Sequence, residues 1–238
     1  VPTVEQIAKR AEALGVTFKG ETELLSVDMP NRVVRGIHTN TGDFTCDELV
    51  LCGGIWGPLL GELTDTPIPL HPCAHPYIRT TPLAELDHLA EQQIVQPLWR
   101  HQDHSMYLWQ DGNRMGIGNY RHDPVLVAAS AIDNGRRHPA ELDFDPVPMD
   151  PGLDEAQRLV PGLRDIGISD RVYGMFSFTI DAQAVVGEVA SASGLWTAMA
   201  IWVTHSTGTA RALAQQMVAG SCELDMRELD VNRFAPHH

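Results

Sequence analysis

Two short apolar runs, each followed by a helix-forming segment, most constrain how this chain folds. The run at Leu49–Cys52 precedes Gly53-Gly54 and a short helical pattern at residues 55–60. The run at residues 194–200 precedes a longer helical pattern at residues 206–219, which Gly220 should close. Continuous apolar runs of this length suit strands of a buried parallel sheet. The repeated order of strand, turn and helix therefore predicts an α/β fold.

The residues before the first run read as a helix and an antiparallel meander. Residues 3–14 have helical periodicity, with Thr3 and Gln6 as a capping pair and Gly15 as the C-terminal cap. Three strand-like runs follow, and Asn40-Thr41-Gly42 is the turn between the last two. They occupy residues 16–18 with 22–27, then 32–39, then 44–52. These elements and the Gly-Gly turn form the later half of a dinucleotide-binding domain.

Residues 67–175 have a different character, rich in Pro, His and aromatic residues. They predict an antiparallel sheet with flanking helices, inserted into the first domain as a substrate-type domain. The alternating runs occupy residues 75–80, 105–110 and 114–120, and the helical patterns 82–93 and 152–160. The predicted fold class is α/β (α+β): a partial Rossmann-like domain at 1–66 and 176–238, with the insert at 67–175. The Gly116-Ile117-Gly118 pattern falls within a predicted strand, so it is not a phosphate loop.

Charge and composition exclude several classes of protein. The formal net charge is −14, which disfavours nucleic acid as a partner. No apolar run approaches the roughly 20 residues that span a membrane, and residues 1–10 lack the pattern of a signal peptide. Cys46, Cys52, Cys73 and Cys222 are scattered and form no CxxC, as expected for reduced thiols. We therefore expect a cytoplasmic protein with neither membrane nor nucleic acid as a partner.

An ordered set of short motifs resembles the D-amino-acid-oxidase-like superfamily of FAD-dependent oxidoreductases. Within it, the chain most resembles the dimethylglycine oxidase, dimethylglycine dehydrogenase and sarcosine dehydrogenase group. The motifs are LCGGIWG (51–57), AHPYIRTTP (74–82), RHQD (100–103) with Tyr107, GIGNY (116–120), GMFSFT (174–179) with Asp181, Gly187-Glu188, WVTHS (202–206) with Gly208, and DVNRF (230–234). Two positions depart from the pattern: Ile180 replaces a usual proline, and Ala182 a usual glycine near the flavin.

The resemblance implies FAD as cofactor and a small N-methylated amino acid, such as dimethylglycine or sarcosine, as substrate. The reaction it implies is hydride transfer to flavin N5. It also implies that the Gly-rich ADP-binding part and a C-terminal tetrahydrofolate-binding region lie outside this sequence. The chain is then expected to be a fragment, or one piece of a split protein whose complementary chain supplies the Gly-rich half.

The same resemblance implies roles for individual residues. His75 and Tyr107 match substrate-pocket positions; from the residues alone, they also fit a satisfied sheet histidine and a half-buried strand aromatic. Leu24 matches a position on the adenine side of FAD and otherwise reads as a core leucine. The start of the last helix is placed against the flavin's pyrimidine edge, and otherwise reads as a simple capped helix start. The residues expected there are Val203, Thr204, His205, Ser206 and Gly208.

Several alternatives stay open at this stage. Arg79, Arg100 and Arg121 fit either a substrate carboxylate or ordinary surface charges. We expect no metal site, because neither His71, Cys73 and His75 nor His101 and His104 match a standard zinc spacing. His237 and His238 are given no role. The rival functions are a non-catalytic subunit or degenerate fragment, and another flavin oxidoreductase acting on glycine, proline or glycerol phosphate.

Overall fold

The computed structural model describes residues 2–135 and 138–234, so His237 and His238 lie outside the described residues. The α-helices of this part are α1 (Pro2–Ala13), α2 (Gly57–Leu63), α3 (Asp150–Leu159) and α4 (Ser206–Ala219). Its strands are β1 (Leu24–Asp28), β2 (Gly36–Thr39), β3 (Gly42–Thr45), β4 (Leu49–Leu51), β5 (His71–Thr80), β6 (Trp99–His101), β7 (Met106–Asp111), β8 (Arg114–Asn119), β9 (Val125–Leu126), β10 (Ile168–Phe178), β11 (Val185–Glu188) and β12 (Leu195–Met199). The predicted mixture of helix and sheet is confirmed.

The largest sheet is antiparallel and comes from the middle of the chain. Its order is β10-β5-β8-β7-β6, and β9 pairs with β5 beside β8. Asp111-Gly112-Asn113, a sequence typical of a hairpin turn, joins β7 to β8, and Gly112 has a φ of 61°. β10 runs past the predicted boundary at residue 175, so its last residues belong to the same sheet. The division of the chain into two domains stays a prediction.

This sheet has two faces of different chemistry, because successive side chains of a strand point to opposite sides. One face is apolar and packs beneath α3, with Ile78, Met106, Leu108 and Ile117 almost fully buried. The other face carries mainly aromatic rings and glycines. The second face lies toward the candidate active site described below.

A second sheet joins two segments that are far apart in sequence. β12 lies between β11, to which it is antiparallel, and β4, to which it is parallel. The prediction of a strand buried on both faces is confirmed for β12, where Leu195 and Thr197 are fully buried. It is wrong for β4, where only Leu51 is buried and Leu49 and Val50 are half-buried. The reason is that β4 forms the edge of this sheet within the described residues.

The meander β1-β2-β3 is antiparallel, and the predicted turn at Asn40-Thr41-Gly42 joins β2 to β3. The third predicted run, at residues 44–52, is divided between β3 and β4. These strands belong to different sheets, so the chain must leave the meander between them.

In the terminal helices, the spacing of apolar residues did not correctly predict which face is buried. α4 has the predicted bounds, and Gly220 closes it with a φ of 72°. The spacing of its apolar residues predicts that Ala210, Leu213, Ala214, Met217 and Val218 form the buried face. The residues that the structure buries are Thr209, Ala212 and Leu213. Alanines around this helix create two overlapping apolar stripes, and packing against β11 and β12 selects the other one.

α1 is confirmed as a helix, and Gly15, with a φ of 98°, follows its end as predicted. The helix begins at Pro2, so Thr3 lies inside the first turn and is not its N-cap. Val4, Ile7 and Leu14 of its predicted apolar face are exposed. No helix in the described ranges is both long and apolar enough to cross a membrane.

Candidate active site

His75 lies on β5, an interior strand of the large sheet, on the aromatic face. β5 pairs with β10 on one side, where His75 stands opposite Gly174. The His75 side chain is only 5% exposed. Its ring stacks on Tyr120 with a centroid distance of 4.0 Å, and Phe176 lies 5.4 Å away. Neither ring nitrogen has a hydrogen-bond partner among the described residues. A buried polar group without a partner is costly, which points to a ligand-binding role.

The surroundings of His75 keep its imidazole neutral. Burial, reinforced by the nearby His122, lowers the pKa of His75 from 6.5 to about 4. A neutral imidazole offers one donor and one acceptor nitrogen. At neutral pH, His75 can therefore both donate to and accept from a bound molecule.

The lowered pKa predicts a pH-dependent stability. Because the unfolded chain binds the His75 proton more tightly, stabilisation is complete above about pH 6.5 and is lost as the pH falls toward 4. The loss should be about 3 kcal/mol, which urea unfolding at pH 7, 5.5 and 4 measures. A His75→Phe variant keeps the ring stack but cannot titrate. If its free energy of unfolding falls as steeply as that of the wild type, His75 is not the source.

Glycines on β8 make room for the aromatic rings of this face. A Cβ at Gly118 would lie 2.1 Å from Tyr107 Cζ, and one at Gly116 would lie 2.3 Å from the Tyr77 hydroxyl. Both rings therefore lie flat across the strand where side chains are absent. This gives the Gly116-Ile117-Gly118 pattern a packing role in a strand, in agreement with the prediction that it is not a phosphate loop.

Tyr107 lies further from His75 than the rings of Tyr120 and Phe176 do. Its ring is 6.3 Å from that of His75 and 5.8 Å from that of Tyr120, and burial raises the pKa of its phenol. The cavity beside His75 is lined by Tyr120 and not by Tyr107 among the described residues. Contact between Tyr107 and substrate stays a prediction, and the structure adds Tyr120 as the nearer phenol.

The His75 cavity, as we call it, has a volume of about 470 Å³. Its walls are mainly apolar, and no acidic side chain lines it in the part of the chain that the structure describes. They include the imidazoles of His71, His75 and His122 and the rings of Tyr120, Phe176 and Phe178. Such a space suits a small ligand with apolar groups and few polar contacts.

A second space, the Trp202 cavity, lies on the other side of Phe176 and Phe178 and has a volume of about 280 Å³. The two phenylalanines line both cavities, and Trp202 packs 5.7 Å and 5.9 Å from their rings. The Trp202 cavity is also bordered by residues from three separate loops that adopt left-handed φ values. These are Gly54 (53°), Ala182 (59°) and Ala200 (55°). Strained backbone in non-glycine residues is typical of functional sites.

Among the described residues, none of the predicted cofactor residues lines this cavity, although most of them lie in the segment that directly follows one of its lining residues. The segment from Val203 to Gly208 directly follows Trp202, and Val203 is 89% exposed. The start of α4 is therefore open at the surface rather than packed into the core. Leu24 is half-buried in β1 and packs against the core beneath β4 and β12. It lines neither cavity within the described residues, and its predicted role at the adenine side of FAD stays a prediction.

The two departures from the family pattern lie in the loop after β10. Ala182 keeps a left-handed φ in spite of its Cβ, and Ile180 is exposed. The loop is held by Asp181, which accepts hydrogen bonds from Thr179 Oγ1 at 2.7 Å and Arg233 Nε at 2.8 Å. The Arg233 guanidinium holds the pKa of Asp181 well below its usual range. These contacts hold the backbone of the loop in place around the two substituted positions.

The three arginines considered from sequence have separate surroundings. Arg79 pairs with Asp111 at 3.0 Å, and Arg121 Nη1 lies 3.1 Å from His104 Nδ1. Arg100 lies over the Tyr120 ring, 5.4 Å from its centroid. Arg100 thus packs on a ring of the His75 cavity, and Arg121 lies in the chain between Tyr120 and His122, which also line that cavity.

Sequence reasoning missed Tyr120, His122, Phe176, Phe178 and Trp202 as site residues. A signal was available in Phe176 and Phe178, whose spacing of two places both rings on one face of a strand. The other three come from loops or strand ends, where only the folded chain shows which cavity they border.

The site fits a flat aromatic cofactor. A Cβ at Gly54 or at Gly208 would meet no atom within 4 Å, so the backbone at both positions is open to a bound group. The parallel pair of β4 and β12, the open helix start and the neighbouring aromatic sheet are features that suit the binding of a dinucleotide cofactor.

The profile of the family "FAD dependent oxidoreductase" (DAO) matches residues 3–216. The chain belongs to this family, whose cofactor is FAD, and the resemblance found in the sequence is confirmed.

The chain is similar to an oxidase, a dehydrogenase and a regulatory subunit. The chain is 27% identical to 4-methylaminobutanoate oxidase (formaldehyde-forming) of Paenarthrobacter nicotinovorans over 97% of its length and 27% of the relative. It is 26% identical to human mitochondrial sarcosine dehydrogenase, over 89% of its length and 22% of the relative. It is also 27% identical to the mouse mitochondrial pyruvate dehydrogenase phosphatase regulatory subunit, over 96% of its length and 26% of that protein. The chain thus spans about a quarter of these relatives.

The fold is also that of a known structure. L-proline dehydrogenase from P. horikoshii superposes with a TM-score of 0.78 at 17% identity, over 95% of this chain and 57% of that one. At this identity, the match supports the fold alone.

Proposed function

We propose that this chain is part of an FAD-dependent oxidoreductase that oxidises a small N-methylated amino acid by hydride transfer to flavin N5. The observation that carries the proposal is the buried, neutral His75, whose ring nitrogens adjoin an aromatic cavity. Among residues 2–135 and 138–234, these nitrogens have no hydrogen-bond partner and the cavity has no acidic side chain. The names of two relatives support the substrate class, since 4-methylaminobutanoate and sarcosine are both N-methylated amino acids.

In this proposal, FAD supplies the hydride acceptor, and the chain's residues bind and orient the substrate. The backbone at Gly53-Gly54 and from Val203 to Gly208 would hold the flavin ring. The positive end of the α4 dipole would offset negative charge on the pyrimidine edge of that ring. His75 would hydrogen-bond the substrate amine or carboxylate, and Phe176 and Phe178 would exclude water from the space between substrate and cofactor.

The proposal includes a partner, in the form of a segment or complementary chain that supplies the Gly-rich ADP-binding half. β4 presents an open edge to extend the parallel sheet, and Leu49 and Val50 are only half-buried there. Val4 and Ile7 leave an apolar face of α1 exposed for the same partner. Both surfaces are of the kind that another strand and helix would cover.

Visible absorbance tests the proposed function. We expect a protein containing this chain and its complementary half to be yellow, and its flavin bands to bleach without oxygen when dimethylglycine or sarcosine is added. Glycine, proline and glycerol phosphate serve as the comparison panel. Faster bleaching by one of these would contradict the substrate class and favour another flavin oxidoreductase of the family.

The second candidate is a non-catalytic subunit, favoured by the similarity to a phosphatase regulatory subunit. A protein that remains colourless after FAD is supplied, with both halves present, would support this candidate. A yellow protein whose flavin bands are not bleached by any amine would also support it, since FAD would then be bound without being reduced by substrate.

A further inference from the structure

Three potential metal ligands meet at one end of the large sheet, away from both cavities. His101 is the last residue of β6, His104 lies in the turn that follows, and Glu155 lies on α3. Their ligand atoms all lie within 4.8 Å of one another. None of the three lines the His75 cavity or the Trp202 cavity.

The two imidazoles converge on a single carboxylate oxygen. His101 Nε2 lies 3.2 Å and His104 Nε2 lies 3.7 Å from Glu155 Oε1. Ligand atoms around a tetrahedral zinc ion, each about 2.0–2.1 Å from the metal, are about 3.3 Å apart. The two histidine–carboxylate distances already match this spacing closely, and small side-chain rotations would bring the third pair to it.

The site is partly enclosed and has a favourable set of donors. The Glu155 side chain is only 8% exposed, and those of His101 and His104 are 23% and 33% exposed. Two imidazoles and one carboxylate suit zinc and neighbouring divalent transition metals. We propose that His101, His104 and Glu155 bind such an ion, with water completing its coordination.

In the absence of an ion, an arginine holds the carboxylate. Arg158 Nε donates to Glu155 Oε2 at 2.7 Å, and its Nη2 donates to Oε1 at 2.5 Å. The Arg158 side chain is 65% exposed, so it can turn into solvent without disturbing the core. Arg121 similarly lies beside His104 Nδ1 and is exposed. An incoming ion therefore competes with flexible surface arginines, which lower its affinity without blocking its site.

A bound ion would join the edge of the large sheet to the helix that covers it. Without the ion, His101 and His104 contact Glu155 only through ion pairs, which are weaker than bonds to a shared metal ion. The inferred role is therefore structural, and it is independent of flavin chemistry.

Zinc titration and cobalt spectroscopy test the proposal. The protein carries His237→Ala and His238→Ala, so that the terminal histidine pair does not contribute. We expect saturable Zn²⁺ binding by calorimetry with one ion per chain, and visible Co²⁺ bands typical of tetrahedral coordination. His104→Ala should weaken binding about 100-fold, while His88→Ala, at an exposed histidine outside the cluster, should leave it unchanged.

The Arg158→Ala variant is the most informative test, because it leaves all three proposed ligands in place. Removing the competing guanidinium should strengthen Zn²⁺ binding about tenfold. Binding that is unchanged or weaker in this variant would overturn the proposal, as would the absence of Co²⁺ bands in the parent protein. Equal loss of binding in the His88 and His104 variants would also overturn it, since binding would then be nonspecific.

Discussion

Replacing His75 with phenylalanine in a flavin-loaded protein containing this chain is expected to lower kcat/KM for sarcosine or dimethylglycine by about 100- to 1000-fold. The reason is that His75 alone among the rings around its cavity combines deep burial with two unpartnered nitrogens. Phenylalanine keeps the stacking surface toward Tyr120, whose ring lies 4.0 Å away, and removes only the hydrogen-bonding atoms. Steady-state kinetics of the variant measure the loss.

Two further measurements distinguish a loss of substrate binding from a loss of folding. Flavin absorbance and the urea midpoint at pH 7 should change little, because the aromatic packing is preserved. His88→Ala serves as the control, since this exposed histidine lies outside the site and should leave turnover unchanged. If His75→Phe turns over both amines at the wild-type rate, then His75 has no role in the reaction and the proposed substrate site is wrong.

Local sequence patterns predicted a helix or strand correctly where residues typical of its ends were also present. α4 has its predicted bounds because a buried strand precedes it and Gly220, in a left-handed conformation, ends it. The same information was insufficient to choose which side of α4 is buried, since its alanines fit either stripe. That choice depends on the partner strands β11 and β12, which periodicity does not describe.

The candidate site shows the same division between local and long-range information. The position of His75 on a strand follows from alternation and from the family pattern. Tyr120 and Phe176 pack against His75, and Trp202 packs against Phe176. These rings come from three distant segments, so only the folded chain brings them together.

The proposed metal ligands show this division between local and long-range information most clearly. His101 and His104 were set aside because their spacing matches no zinc motif. The third ligand, Glu155, is supplied by a helix about 50 residues further along. Motif spacing records only ligands that are close in sequence, whereas packing of α3 against the sheet assembles this set.

The second large expected effect concerns Gly194, which directly precedes β12 and lies beside the start of the edge strand β4. Its φ is 78°, and a Cβ there would lie 2.3 Å from the carbonyl oxygen of Asp47. The Gly194 carbonyl also accepts a hydrogen bond from Leu49 N at 2.8 Å, at the start of the parallel pairing. Gly194→Ala therefore combines an unfavourable backbone conformation with a direct clash against backbone. We expect the free energy of unfolding to fall by about 4 kcal/mol.

Gly220→Ala is the matched control. Its φ of 72° is nearly the same, but a Cβ at that position would meet no atom within 4 Å. It should therefore show only the conformational cost of about 1 kcal/mol. The difference between the two variants in urea unfolding, about 3 kcal/mol, measures the clash with Asp47. Equal losses in the two variants would mean that the chain relaxes at Gly194, and that the contact between β12 and β4 is less rigid than the structure indicates.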